Sequence, residues 1–316
     1  MKDGNVLVTI RCLAYNHEAY IHQCLEGFVM QKTNFRFEAI VHDDASTDST
    51  AEIIREYANK YPDIIKPIFE TENQYSKHDG SLRRIMNSHT RGKYVAICEG
   101  DDYWIDPFKL QKQVDFLEKN IDYSLIYTGV YKVNSESNDI KRNFVKGVSG
   151  NITKYFFEKG NPIITPSVCF KTKDLLAYND EIEKINFELK MGDLPLWIYL
   201  SRCGKVKFLK DKTVAYRVLA ESASHSLNKN KIISFIENSR DILFYFNECY
   251  KLNIPNSVIE KRFYLDIIRN MVPFGVSDFF SYYLKGVAKY PSLLLNMKLL
   301  LLLIIKVLLR KKVVFF

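Results

Sequence analysis

Over its first 120 residues this chain alternates short β-branched or aromatic runs with segments of helical periodicity, and that alternation limits its fold more than any other feature. Such a pattern marks βαβ units, which feed a mainly parallel sheet covered by helices, an α/β architecture. Val6 to Ile10 reads as the first strand. Beyond Asn16, a suitable cap, Ile21, Cys24, Leu25, Phe28 and Val29 recur at helical spacing, so that one face packs on the sheet. Phe37 to Val41 reads as the second strand and runs into Asp43-Asp44. Ser49 with Glu52 then forms a capping box opening a helix through about Asn59. Ile64 to Phe69 is a third strand, and Pro67 inside it calls for an edge position or a bulge. Tyr94 to Cys98 is a fourth, ending at Glu99-Gly100-Asp101-Asp102. Asp106-Pro107 opens a helix with Leu110, Val114 and Leu117 inward. Residues 123 to 220 read as mixed strands and helices, with an apolar helix after Asp193 and a strand at Thr213 to Val218; residues 226 to 290 read as helices.

Both acidic pairs thus fall just past the C-terminal ends of strands, where an open parallel sheet binds its ligands because the loops diverge there. Adjacent carboxylates repel each other and lose solvation when crowded. They persist most naturally where a divalent cation or donor hydroxyls compensate them. Oxygen ligands without a His or Cys cluster suit Mg²⁺ or Mn²⁺. One Asp-Asp pair alone reads equally well as an Asx-turn and cap, but two pairs at equivalent strand ends favour the ligand reading. Ser46-Thr47-Asp48 reads as a cap.

Composition narrows the setting. With 47% hydrophobic and 26% charged residues the chain is an ordinary globular one. Its six cysteines are spread out with no close pair, which argues for a reducing compartment. The apolar stretch before Arg11 is too short for a signal peptide, so a cytoplasmic catalytic part is expected.

The residues also resemble a known family, the inverting nucleotide-sugar glycosyltransferases of family 2 and the GT-A fold, over about residues 5 to 220. The resemblance rests on Leu13-Ala14-Tyr15-Asn16, on Val41-His42-Asp43-Asp44-Ala45-Ser46-Thr47-Asp48, on Gly92-Lys93-Tyr94-Val95 leading to Glu99-Gly100-Asp101-Asp102, and on Met191-Gly192-Asp193 before an apolar helix. It implies that Asp44 reads the nucleotide base, with Leu13, Tyr15, Asp43, Arg83 and Asp101 also on the nucleotide-sugar. It makes Asp102 the direct metal ligand and Asp193 the base that deprotonates the acceptor hydroxyl. Arg217 and His225 resemble the family's late basic positions near the pyrophosphate, and His225 is set beside Asp102 as a candidate metal ligand. Two departures stand out: Leu82-Arg83-Arg84 replaces the family's Ala-Arg-Asn run, and Gly192 stands where relatives place an acid. Trp104 is placed either to stack on a sugar ring or to pack beneath the acidic loop.

The tail has its own logic. Leu293 to Leu309 holds 14 apolar residues broken by Asn296, Lys298 and Lys306, after the helix-start signal Pro291. Apolar residues at roughly −0.3 to −0.6 kcal/mol against about +2.5 to +3.5 for a central Lys bring membrane spanning near break-even. In a helix Asn296, Lys298, Lys306 and Arg310 fall within a sector of about 160°, leaving an apolar face suited to lying in the membrane plane. Much of the net charge of +8 is here, with Arg310, Lys311 and Lys312, so an anionic leaflet rather than nucleic acid is its expected partner. Packing of this helix on protein is the alternative. The expected division is a catalytic domain at 1–222, with a nucleotide-sugar half at 1–120 and an acceptor half at 121–222. A helical extension at 223–316 ends in the membrane-associating tail 291–316. The activity expected is metal-dependent, inverting sugar transfer onto a glycan or lipid-linked acceptor in cell-surface polysaccharide synthesis, at the inner face of the cell membrane. A sugar nucleotidyltransferase is the rival, although Leu13 to Glu18 lacks the glycines that would hold a triphosphate. A non-catalytic membrane adaptor would leave the acidic pairs unexplained.

Overall fold

The computed structural model describes residues 5–140, 147–219 and 228–295. By their contacts they form two compact units, one of residues 1–152, 162–185 and 199–217, the other of 153–161, 186–198 and 218 onward.

The first unit is built on one eight-stranded sheet. Its strands are β1 (Val8–Ala14), β2 (Phe37–Asp43), β3 (Ile65–Phe69), β4 (Tyr94–Ile97), β5 (Tyr103–Trp104), β6 (Tyr123–Val133), β7 (Val168–Lys171) and β8 (Lys205–Arg217), in the order β3-β2-β1-β4-β7-β6-β8-β5. β3, β2, β1 and β4 run parallel, as the βαβ pattern predicts. β7 runs antiparallel between β4 and β6, while β6 and β8 are parallel. β3 is an edge strand, where Pro67 costs the ladder least.

Helices α1 (Ile21–Val29) and α4 (Lys109–Lys119) bury the periodic residues read from the sequence, Ile21, Cys24, Leu25 and Phe28, and Leu110, Val114 and Leu117; α2 (Thr50–Lys60) buries Ile54 and Tyr57. These join Val8, Ile10, Cys12, Val41 and Ala96 in the main core. α3 (Ser81–His89) and α6 (Thr172–Ile182) complete the helices wholly within this unit.

Several expected boundaries move. β1 starts later and extends through Ala14, because Cys12 and Ala14 are buried and Arg11 finds Asn87 Oδ1 at 2.9 Å. β2 continues to Asp43, whose backbone pairs with Ala14. Asn16 does not cap α1. It adopts a left-handed conformation (φ 55°), which Asn tolerates, and ties two loops together. Nor does the capping box form: Ser49 is at the N-cap but its side chain makes no cap bond, and Asp48 Oδ1 instead accepts from the Thr50 amide at 3.0 Å. The strand read at Thr213 to Val218 is the second half of the longer β8.

The second unit is helical, with α5 (Thr153–Glu158), α8 (Lys229–Cys249), α9 (Asn256–Met271) and α10 (Val276–Lys289). α9 packs against each of the other three. Asn228 caps α8 by accepting from the amides of Asn230 and Lys231. Ile232, Ile236, Ile267 and Met271 form one apolar cluster, and Ile268, Val272, Phe279, Tyr283 and Leu293 another. α7 (Asp193–Cys203) contributes its first six residues to this unit and the rest to the first. Among the described residues no helix is long and apolar enough to cross a membrane. The tail from 296 on, where the membrane helix was read, lies outside the described residues.

Candidate active site

Because β1, β2 and β4 are parallel and in register, Ala14, Asp43 and Ile97 finish at the same end of the sheet, and the loops after them meet. Backbone bonds fix that meeting. The Asp44 amide donates to Ala14 O at 2.9 Å, and the Gly100 amide donates to Leu13 O at 2.9 Å. Asn16 couples the first two loops: its amide donates to Ser46 Oγ at 2.9 Å and its Oδ1 accepts from the Thr47 amide at 2.8 Å. Glu18 and Ser49 repeat the stitch, with the Glu18 amide on Asp48 Oδ2 and the Ser49 amide on Glu18 Oε2.

After β4 the chain turns at once, the Asp102 amide donating to Glu99 O at 3.1 Å. Gly100 is required in this turn, since a Cβ there would stand 2.8 Å from His17 Nδ1 and 3.0 Å from Ile21 Cδ1. Asp102 is only 3% exposed. Burial, reinforced by the charges of Asp101 and Glu99 and opposed by the Arg217 amide and guanidinium, holds its carboxyl well above the usual range. Asp101 is half-buried. The turn therefore crowds carboxyl groups in a setting that disfavours their charged forms, which a bound cation would relieve.

Arg217, at the end of β8, is itself buried and fastens this turn. Its amide donates to Asp102 Oδ1 at 2.6 Å and its Nε to Asp101 O at 2.8 Å. Its remaining nitrogens reach Asn134 O, Ser135 O, Ser137 Oγ and Gln23 Oε1, and the guanidinium lies 4.5 Å from the Tyr20 ring centroid. Trp104 packs rather than stacks on a ligand: it is buried, its indole N–H donates to Pro166 O at 2.9 Å, and Lys109 Nζ sits 4.1 Å from its ring.

At the β2 end, Asp44 is buried, its Oδ1 accepting from the Gln74 amide at 2.7 Å and its Oδ2 from the Tyr75 amide at 3.0 Å. Asp43 accepts from the Ser46 amide through Oδ2, while its Oδ1 is buried without a partner. Leu13 is half-buried and Tyr15 is exposed at the mouth of the first loop. Arg83 on α3 turns to α6, donating to Asn179 Oδ1 at 2.6 Å and approaching Glu183 at 3.4 Å. Sequence reading passed over His17. Its Nδ1 is buried without a hydrogen-bond partner, and burial lowers its pKa against the opposing charges of Asp101 and Asp48. Its position directly after Asn16 in the first loop was the available signal.

In the second unit, Asp193 is the first residue of α7 and its Oδ1 accepts from the Leu194 amide at 2.8 Å. Burial raises its pKa, opposed by the amides of Leu194 and Asp193 and by the Trp197 indole. The approach to α7 is held to α8 through Asn238, which accepts from the Lys190 amide and donates to Glu188 O. His225 lies outside the described residues.

A divalent cation suits Asp101 and Asp102, which are adjacent hard oxygen ligands. Among the described residues no group of three or more His, Cys, Asp or Glu side chains converges as a metal cage. Mg²⁺-like sites built from one or two carboxylates and completed by substrate phosphate and water have this composition.

Known proteins complete the identification. The family model described as glycosyl transferase family 2 matches residues 11–185, more than half of the chain. An uncharacterized protein of Mycobacterium tuberculosis is 42% identical over 120 residues, 38% of this chain and 34% of that protein, so the chain spans about a third of the length of its mycobacterial relatives. The Escherichia coli UDP-Glc:alpha-D-GlcNAc-diphosphoundecaprenol beta-1,3-glucosyltransferase WfaP is 32% identical over 142 residues, 42% of this chain and 53% of that enzyme. Staphylococcus aureus TarS 1–349, solved with UDP-GlcNAc, superposes with a TM-score of 0.61 at 16% identity, covering 95% of this chain and 85% of that one. The mannosyltransferase PcManGT of Pyrobaculum calidifontis, solved with GDP-Man and Mn²⁺, gives 0.57 at 17% identity, covering 94% and 81%. With its sheet order, its two loops of paired carboxylates and this match, the chain belongs to glycosyl transferase family 2 and has the GT-A fold.

Proposed function

We propose that the chain moves a sugar from a nucleoside diphosphate donor to a hydroxyl of a glycan or lipid-linked acceptor, with inversion and with Mg²⁺ or Mn²⁺, at the inner face of the cell membrane. The observation that carries the reading is the Glu99–Asp102 turn, where adjacent carboxyls follow a parallel strand and burial with crowding by Asp101 and Glu99 disfavours the charged form of Asp102. Asp102 and Asp101 would hold the cation, with His225 as a candidate further ligand. When bound, such an ion offsets the charge that builds on the leaving diphosphate.

The remaining roles are those of the chain's own residues. Asp44 and Asp43 take the nucleoside end, beside Leu13 and Tyr15. Although both Asp44 oxygens accept backbone amides, each keeps a second lone pair for a base N–H. Arg83 is assigned to the nucleotide. Asp193 takes the proton from the acceptor hydroxyl as that oxygen bonds to the anomeric carbon and the carbon–oxygen bond to the diphosphate breaks. A single displacement of this kind inverts the centre. The raised pKa of Asp193 brings the carboxylate nearer to the basicity that proton abstraction needs. Residues 1–222 would carry this chemistry and 223–316 would bring it to the membrane. The acceptor class draws on WfaP, whose name specifies a diphosphoundecaprenol-linked substrate.

Thermal-shift measurements with nucleoside diphosphates, with and without Mn²⁺, test the reading. A ligand that prefers the folded state raises the melting temperature by mass action. At least one nucleoside diphosphate is expected to do so in a Mn²⁺-dependent way. Silence across all of them would overturn the donor assignment, and retention of the donor's anomeric configuration in the product would overturn the single displacement.

A further inference from the structure

The helical unit has a surface with no part in this chemistry. α10 buries Phe279, Tyr283 and Gly286 against its own unit. On its outward side an apolar residue recurs every fourth position: Val276, Phe280 and Leu284 are 38, 36 and 62% exposed, and exposed Ala288 continues the row. Leu294, just beyond the helix, is 49% exposed. A surface helix ordinarily turns polar residues outward, and a contiguous apolar row signals a partner where isolated exposed side chains do not. The other exposed positions of α10 are Ser277, Ser281, Lys285 and Lys289, and its one acid, Asp278, is part-buried and paired with Lys229 Nζ at 2.9 Å. Lys289 also pairs with Glu260 at 2.7 Å.

We infer that this row is a bilayer contact, with Val276, Phe280 and Leu284 at the acyl boundary of an anionic leaflet and Lys285 at its headgroups. Charge and continuity choose this occupant. Leu293 is fully buried against α10, 3.1 Å from where a Cβ on Gly286 would stand, which fixes the start of the tail to the end of this helix. The residues that follow include Lys298, Lys306, Arg310, Lys311 and Lys312 and no acid. The chain's own tail seated on the row would bring its five bases toward Lys285, and a second copy would bring two such tails together. An anionic leaflet attracts both the row and the tail. The inference rests on the membrane setting of the proposed function and does not depend on the catalytic assignment.

Flotation of the full chain with vesicles of phosphatidylglycerol and phosphatidylcholine tests it, with phosphatidylcholine vesicles alone as the comparison. The chain is expected to float with the anionic vesicles and only weakly with the neutral ones. Phe280→Glu combined with Leu284→Glu should weaken vesicle affinity about tenfold or more. The fold, read by melting temperature, and transfer to a water-soluble acceptor should stay unchanged. In Leu284→Trp the new indole should shift its emission to the blue on anionic vesicles, against the constant background of buried Trp104 and Trp197. Glutamate variants that float like the parent chain, or an indole that does not respond, would overturn the contact. So would a parent dimer that the glutamate variants dissolve, since a second copy would then cover the row. A chain that floats with no vesicle also overturns it, whereas active transfer to the soluble acceptor would leave the proposed function standing.

Discussion

Asp102 is where single-residue physics speaks most directly. Folding buries a carboxyl whose charged form is disfavoured by desolvation and by Asp101 and Glu99. A carboxyl with a raised folded-state pKa contributes stability that is fully present below its unfolded value, about 4, and is lost as pH rises toward the folded value. With divalent cations chelated, Asp102→Asn should therefore melt above the parent chain at neutral pH, with the gap closing near about pH 4. The amide can keep an oxygen on the Arg217 N–H. Adding Mn²⁺ and a nucleoside diphosphate should reverse the order, because only the parent chain offers the full anionic ligand. Calorimetry with and without chelator reads both effects, and equal stabilisation of the two proteins would remove Asp102 from the cation's ligands. For Asp193→Asn the expectation is a fall in turnover of roughly 10² to 10⁴ with donor affinity nearly intact, since the base acts on the acceptor. Titration calorimetry that finds donor binding lost together with turnover would exclude this role.

At the scale of elements, the acidic turn is held in place by its neighbours. Arg217 links the end of β8 to the Asp101 carbonyl and the Asp102 carboxylate, to residues 134–137 and to Gln23 on α1. A lysine cannot reproduce this planar fork. Arg217→Lys should cost about 3 kcal/mol or more in urea unfolding by leaving buried acceptors unpaired. A loss under about 1 kcal/mol would mean that the fork is dispensable. Gly27 sets the approach of α1 to β5: a Cβ there would stand 2.8 Å from the Trp104 amide nitrogen. Gly27→Ala should destabilise by about 1–3 kcal/mol, as overpacking does. It should also slow transfer, because β5 follows Asp102 directly. Unchanged unfolding and unchanged turnover would show that β5 yields without cost.

For the molecule as a whole, the question is which part reaches the membrane. Leu293 belongs to the apolar cluster of the helical unit, so a truncation that tests the tail must begin after residue 295, not at Pro291. Deleting 296–316 should lower salt-sensitive membrane binding while activity on a soluble acceptor persists. Each base near an anionic leaflet contributes about 1 kcal/mol, and that attraction is screened as salt rises. Fractionation under low salt, high salt and alkaline carbonate separates the cases. Full-length protein that stays with the pellet in carbonate would indicate a spanning segment, and protein that never enters the pellet would place the apolar face against protein.

Local rules made much of this legible. Alternating strand and helix periods announced the parallel half of the sheet, Pro67 announced its edge, and Leu110, Val114 and Leu117 announced the buried face of α4. These features depend on neighbours within a few residues, so the sequence alone determines them. It also determined that acidic pairs stand at the ends of β2 and β4, because a strand's polar terminus is visible in its own residues. Tertiary structure decided the rest. The antiparallel insertion of β7 between β4 and β6 joins segments more than 30 residues apart, and no local period encodes such a partner. Arg217 resembles in the sequence a late basic position near a pyrophosphate, and only the fold shows that it is fastened to backbone carbonyls and Gln23. Trp104 fitted sugar stacking as well as packing until the Pro166 carbonyl and Phe28 claimed it. In each case the side chain's chemistry is fixed by its residue type, but its partner is fixed by which distant segments the core brings together. That choice depends on burying apolar surface over the whole chain.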